Sequence, residues 1–349
     1  MTALLNKPLI SMPFISDAPL RILVNRNHSI ESVHEVDIAL CEADGQVIFG
    51  MGAIEAPIFP RSAMKPLQAL ALIEYLNEAA DSYPALSLAE KALICASHNG
   101  ETFHSEGVKL LLQKFNISPD ALICGAHWSL DQTSLIDQVR SMDSPEKTHN
   151  NCSGKHAGML ILAQLLTGSP EGYADIAHQA QQRILGVLEM MTGSELTSFA
   201  NGIDGCGAPV YSAPLGNWAR AFALFAGGGL LSIARETACA DLTKAIAANP
   251  LYIAGHNRAC SAINHVYGEA ITVKVGAEGV YSAAFHELGL GLMLKTRDGN
   301  KRGAEVALGA VIRALGYNMP AELAPYFTPI LHNWAGTEVG DITLGNLTL

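Results

Sequence analysis

Two kinds of apolar spacing divide this chain. Near the start, short apolar runs bounded by turn residues read as strands. These are RILVNRN (21–27) and HEVDIALCEADGQVIFGMG (34–52), where Asp44-Gly45 between apolar stretches signals a hairpin. From about residue 62 to 250 the spacing is mostly helical. Ser87 and Glu90 in SLAEKALICAS make a capping-box pattern. Ser118-Pro119 place an N-cap before a first-turn proline, and HAGMLILAQLLTG (156–168) is an apolar helix closed by Gly168. Strands return in AITVKVGAEGVYSAAFHELGLGLMLKTRDGN (270–300), with an Asp-Gly turn at 298–299, and a helix follows in GAEVALGAVIRAL (303–315).

Strands at both ends and helices between them predict an α+β fold: one mainly antiparallel sheet built from the N- and C-terminal strands (about 20–55 and 270–300), with a helical block (about 62–250) inserted and packed on its face. No internal repeat, low-complexity run or linker breaks the chain, so residues 1–349 read as a single domain. Composition agrees. Hydrophobic residues make up 49% of the 349 and charged residues 16%, enough for a large core and too apolar for disorder. A net charge of −11 argues against a nucleic-acid partner, because phosphate backbones repel an acidic surface. The opening MTALLNKPLISMPF lacks a basic start and a long apolar core, so it does not read as a signal peptide. The most apolar window, AFALFAGGGLLSIA (221–234), is too short for a bilayer and carries three glycines. The expectation is a soluble, cytoplasmic protein with no membrane partner. Its seven scattered cysteines, an odd number with no Cys-x-x-Cys, read as reduced and mostly buried thiols.

The candidate chemistry begins in RSAMKPLQAL (61–70), where Ser62 and Lys65 stand three apart and share a helix face. Pro66 is tolerated only in a first turn, so the helix starts at or just after Ser62. A serine there is either a nucleophile beside the positive end of the helix or an ordinary cap. The bare pattern is weak: it recurs at Ser144 and Lys147 in a polar stretch. Lys65 is a base only if something lowers its pKa, and a second lysine would do so. Lys274, inside an apolar strand and followed by Gly276, is that second lysine if its head reaches a cleft, and a solvated edge lysine if not. A third element, ASHNGE (96–101), delivers Ser97, His98 and Asn99 at the end of an apolar helix. Ser-x-x-Lys, Ser-x-Asn and Lys-x-Gly in that order are the three elements of penicillin-binding proteins and serine β-lactamases, although Val275 stands where Thr is usual. They indicate serine acyl transfer without naming a substrate.

A second constellation joins HNNCSGKHAGML (149–160) to NGIDGCGAPVY (201–211). Cys152, Lys155 and His156 precede a helix, and Cys206 shares a glycine-rich loop with Asp204; two thiolates plus a nitrogen ligand would suit zinc, but the spacing fits no standard zinc motif and a lysine ligand must first lose its proton. Two small buried cysteines in tight loops, or a Cys152–His156 nucleophilic pair, account for the same residues.

ESVHEVDIAL, RSAMKPLQAL, ICASHNGE, NNCSGKHAGML, GIDGCGAPVYSAPL and KVGAEGVYSAA, taken in order, resemble the thermolabile, Rhizobium-type L-asparaginases of the asparaginase II family, over about residues 21–340. That resemblance implies a fold similar to serine β-lactamases, a homodimer, and hydrolysis of L-asparagine to L-aspartate and ammonia. It implies that Ser62 and Lys65 form a first catalytic pair, and that Ser97 and Lys274 are a second serine and lysine. Arg61, His98 and Asn99 then flank the substrate, and Cys152, Lys155 and Cys206 form a zinc site. One departure is Ala53, where many members carry Asp. A β-lactam or D-peptide hydrolase, or a zinc-stabilised binding protein without catalysis, are the alternatives.

Overall fold

The structure is a computed structural model that describes residues 13–79 and 82–345; most of the opening segment tested for a signal peptide lies outside them. Among the described residues no helix is long and apolar enough to cross a membrane. All seven cysteines are free and buried, as their scatter predicted.

The chain divides into two compact units. The first takes the described residues up to Ala63, then Ala213–Gly228, then Val275 onward. It carries most of a nine-stranded sheet, of whose β5 only the last two residues belong to this unit: β1 (Phe14–Ser16), β2 (Leu20–Arg26), β3 (Ser29–Cys41), β4 (Val47–Met51), β5 (Ile271–Gly276), β6 (Val280–Phe285), β7 (Leu290–Thr296), β8 (Ile330–His332) and β9 (Glu338–Leu344). The order across it is β8-β9-β2-β3-β7-β6-β5, with β4 also on β3 and β1 parallel to β4. The pairs β2–β3, β3–β4, β3–β7, β6–β7, β2–β9 and β8–β9 are antiparallel. Thus N- and C-terminal strands share one sheet, and Asp44-Gly45 lies in the β3–β4 connection, with Gly45 at φ 99°.

Strand β3 holds this unit together. Successive strand residues face opposite sides, yet Val36 and Ile38 to Cys41 are all wholly buried, so both faces of the sheet are covered there. The helices Leu215–Phe225 and Lys301–Ala314 pack on it. Gly291 on β7 permits the first of these, because a Cβ there would strike the backbone of Ala219 and Ala223. Sequence periodicity places Leu215–Phe225 within the helical block and gives no sign of the three-residue β8 or of β9, both little buried.

The second unit, Met64–Ser212 with Gly229–Lys274, is helical. Its centre is Ser153–Thr167, buried from Ser153 to Ala163 and ended by Gly168 at φ 79°. Helices Lys65–Glu78, Thr102–Lys114 and Gln179–Thr192 pack against it. Leu88–Ile94 opens on the expected capping box: Glu90 N donates to Ser87 Oγ, and Ser87 N donates to Glu90 Oε2. Ser118 does cap, but Pro119–Ala121 is a single 3-10 turn; Leu122 is extended at ψ 126° and stops it. Helices continue past 250, through Pro250–Ala254 and Ala259–Tyr267, up to β5.

Candidate functional site

Three of the predicted residues meet inside the helical unit. Lys65 opens its helix with Pro66 behind it, as the first-turn rule required. Ser97 follows the helix Leu88–Ile94, whose end is seated by Gly154: a Cβ there would strike the Leu93 carbonyl. Lys274 lies on β5, where the Asn264 amide both accepts from Val273 N and donates to Val273 O, at 2.9 Å each, fixing the strand beside it. The Ser97 hydroxyl then sits between two lysine head groups, with Lys274 Nζ at 2.8 Å and Lys65 Nζ at 2.9 Å. Lys65 also donates to Ala96 O at 2.5 Å and to Cys152 Sγ at 3.2 Å. All three side chains are buried: Lys274 0%, Lys65 1% and Ser97 4% exposed.

Burial pushes the Lys274 amine down to about 7, and the positive charges of Lys65 and Arg258 add to the effect. An amine there is a proton acceptor near neutral pH, held against a hydroxyl. That is the condition the sequence argument set for a lysine base, met by Lys274.

Ser62 lies in the 3-10 turn Arg61–Met64, three residues ahead of Lys65 along the chain. It is half-buried, and its hydroxyl has no hydrogen-bond partner among the described residues. Arg61 holds φ 51°, a left-handed conformation that side chains adopt at a cost of order 1–3 kcal/mol. This turn rests against the sheet of its own unit: Ser282 Oγ donates to Ala63 O at 3.2 Å, and Gly276 is needed because a Cβ would strike Pro60 O. Lys274 stands two residues before Gly276 on that strand. The glycine of Lys-x-Gly therefore serves close approach of the strand to the Ser62 turn.

His98 and Asn99 face inward. His98 is wholly buried; its Nδ1 accepts from Gly100 N, so Nε2 carries the proton toward Ser153 Oγ at 3.0 Å. Burial holds its pKa well below the usual value, so it stays neutral. The Asn99 amide is engaged at both ends: Nδ2 donates to Glu101 Oε1 and to His256 O, and Oδ1 accepts from Arg258 at 2.7 Å.

The second constellation is also one cluster. The ligand atoms of Cys152, Asp204 and Cys206 lie within 4.8 Å of one another. Lys155 Nζ stands 2.9 Å from Cys206 Sγ, and Cys206 lies 3.4 Å from Asp204 Oδ2. The hydrogen bond from Cys206 lowers the Cys152 thiol well below its usual value, helped by Lys65 and Lys155, while Cys206, the partner that keeps its proton, is raised. Burial works against the Lys155 charge, but the two sulfurs outweigh it and its pKa is raised. Two thiols and a carboxylate match what a borderline-soft divalent ion such as zinc takes. Lys155 is a cation facing sulfur, so it joins such a set only after losing its proton. His156 bonds the Tyr173 hydroxyl through Nδ1 at 2.7 Å.

Asp204, outside the set Cys152, Lys155 and Cys206 that the family resemblance implies, joins the cluster from two residues before Cys206 in the same glycine-rich loop. Glu101, His256 and Arg258 are site residues that no motif marks. The compact polar run Gly255-His256-Asn257-Arg258 between two helices was the available signal.

Among solved structures, Mglu in its native form is similar at 15% identity and TM-score 0.41, covering 80% of this chain and 63% of its own. A β-lactamase from Mycobacterium bovis is similar at 15% identity and TM-score 0.41, covering 80% and 94%. A Bacillus glutaminase follows at 11% and 0.38, covering 77% and 85%. The chain thus spans a little under two thirds of the first of these. No curated protein matches it. The model of the family described as L-asparaginase II matches residues 22–344, nearly the whole chain and all the site residues above, and the protein belongs to that family.

Proposed function

We propose that this amidohydrolase-family protein is an L-asparaginase that converts L-asparagine to L-aspartate and ammonia through an acyl-serine ester. The observation that carries the reading is the buried line Lys65–Ser97–Lys274, with an amine near neutral pKa at one end. A proton vacancy on neutral Lys274 passes through the Ser97 hydroxyl to Lys65. Lys65 then accepts the proton of Ser62, three residues ahead of it. Ser62 Oγ attacks the carboxamide carbon, and first-turn N–H groups without intrahelical partners stabilise the oxyanion. The C–N bond breaks, ammonia leaves with the proton returned by the lysines, and water hydrolyses the aspartyl ester by the same relay.

Ser62 is the attacking group in this reading because it is less buried than Ser97 and its hydroxyl is uncommitted among the described residues. Ser97 is 4% exposed and already bonded on both sides, which suits a relay. Zinc, when bound, supplies a Lewis acid that orients a substrate oxygen, with Cys152, Asp204 and Cys206 as its holders and deprotonated Lys155 as a fourth. A homodimer in the cytoplasm is part of the same proposal.

The test is ammonia release from L-asparagine by wild type, Ser62→Ala and Ser97→Ala. Ser62→Ala should lose at least about 10³-fold in kcat, and Ser97→Ala about 10- to 100-fold. The reverse ranking moves the ester to Ser97. No release by zinc-supplied wild type ends the asparaginase reading.

A further inference from the structure

The loop from Ile253 to Arg258 is docked on the segment that carries Ser97. Ser97 N donates to Ile253 O at 3.0 Å and Asn99 N to Ala254 O at 2.8 Å, a short backbone ladder. Gly255 lies at φ 106° against Glu101 and Asn99, where a Cβ would overlap both side chains. Glu101 is buried and spent on this docking: Oε1 accepts from His256 N at 2.9 Å and from Asn99 Nδ2 at 3.1 Å, and Oε2 meets His256 Nδ1 at 2.6 Å. The Asn99 amide can be assigned only one way, because reversing it would set its oxygen against the Glu101 carboxylate. Its Oδ1 therefore faces Arg258 and receives one guanidinium N–H at 2.7 Å.

This leaves an unusual arginine. Arg258 is half-buried and fixed by a neutral amide rather than an acid, and it has no carboxylate partner among the described residues. It sits close enough to Lys274 for its charge to be felt there. Four of its five N–H donors remain for something else. Holding a half-buried cation near Lys274 is costly without an anion, and the fork of a guanidinium fits a carboxylate. The geometry points to Arg258 as the anchor for the α-carboxylate of an amino-acid amide, with Asn99, Glu101 and His256 as the positioning residues that aim it. This rests on the asparaginase reading above and adds its specificity: the substrate is an α-amino acid with a free α-carboxylate, not a simple amide or an internal asparagine of a peptide.

The experiment compares ammonia release from L-asparagine and from its α-methyl ester, which keeps the side-chain amide and loses the α-carboxylate charge. Wild type prefers the free acid. In Arg258→Gln that preference in kcat/KM should shrink by about 30-fold or more, chiefly through KM. Equal losses on both substrates, as a purely structural role predicts, or an unchanged preference, overturn the assignment. Calorimetry with L-aspartate gives a readout free of turnover, with binding weakened by about 30-fold or more in Arg258→Gln. Unchanged binding, or none by wild type, also overturns it. If wild type hydrolyses neither amide but L-aspartate binding depends on Arg258, the asparaginase reading fails and the anchor stands. Should Arg258→Gln not fold, Arg258→Lys carries the same test: it keeps the charge without the fork, and the preference should fall by about 5- to 10-fold. No change overturns the assignment.

Discussion

Lys274 and Lys155 are both buried lysines, 0% and 4% exposed, yet their pKa values move in opposite directions. Burial penalises the ammonium in each case. Around Lys274 stand a hydroxyl, Lys65 and Arg258, and the partly opposing influence of Cys260 and Cys152 does not reverse the penalty, so the amine drops to about 7. Around Lys155 stand Cys152, Cys206 and Asp204; the charge of Cys152 and Asp204 and the hydrogen bond to Cys206 overturn it. Neighbours, not burial, decide whether a buried lysine here is a base or a counter-ion. Lys65 links the two regions, since one ammonium donates to both Ser97 and Cys152.

The most damaging way to break the comparison is Lys274→Met. It should lower kcat by about 10²- to 10⁴-fold, the range for loss of a positioned base. In wild type, activity should rise with pH through about 7 as Lys274 loses its proton; that limb should vanish in the variant. Stability should move the other way. The folded pKa lies below the unfolded value of about 10.4, so between the two the unfolded chain binds more protons and stability rises with pH. Lys274→Met removes a penalty of up to about 5 kcal/mol, fully present below pH 7 and absent above about pH 10.5. Thermal melts at pH 6.5 and pH 10 check the sign. A variant that melts earlier at pH 6.5 would show that Lys274 is held as a satisfied cation.

Cys206→Ala attacks the other side. Metal content after dialysis against zinc, read by mass spectrometry, should fall to less than about one tenth of wild type, given that ligand loss costs most of such a site's affinity. Lys155 would lose its hydrogen-bond acceptor Cys206 while remaining buried beside Cys152 and Asp204, which costs about 1–3 kcal/mol. The two variants should therefore shift the melting temperature in opposite directions at pH 7. If Cys206→Ala melts like wild type, Lys155 does not owe its charge to the thiols.

Much of this was legible in the sequence because it was local. Ser87 and Glu90 announce a cap, Pro66 a first turn, and Gly168 a helix end, each through the conformation of a few adjacent residues. Lys274 was suspect for a local reason too: a charge inside an apolar strand. What the sequence could not supply was pairing at a distance. Nothing near Ser97 says that its hydroxyl, rather than that of Ser62, lies between the two lysines; the fold decides that by bringing 65, 97 and 274 together. Asn99 looked like a substrate contact because it follows Ser97 by two, but its amide is spent on Glu101, His256 and Arg258, residues up to 159 positions away. Strands β8 and β9 escaped for different reasons: β8 is a three-residue edge strand, and β9, though seven residues long and paired on both sides, is mostly partly exposed and carries little apolar alternation.

The smallest effect supplies the baseline for these charged sites. Ser87 and Glu90 are neither buried nor near a lysine base, and their reciprocal bonds start the helix Leu88–Ile94 that ends just before Ser97. Ser87→Ala should cost about 1 kcal/mol of stability, the usual value of a lost cap. It should leave kcat within about twofold, because Ser97 is held from the other side by Ile253 O and by both lysines. Denaturant unfolding and ammonia release, measured together, check both halves. A fall in kcat of more than about tenfold, at a temperature where the variant is folded, would mean that the helix N-terminus, and not the lysine pair, sets where the Ser97 hydroxyl points.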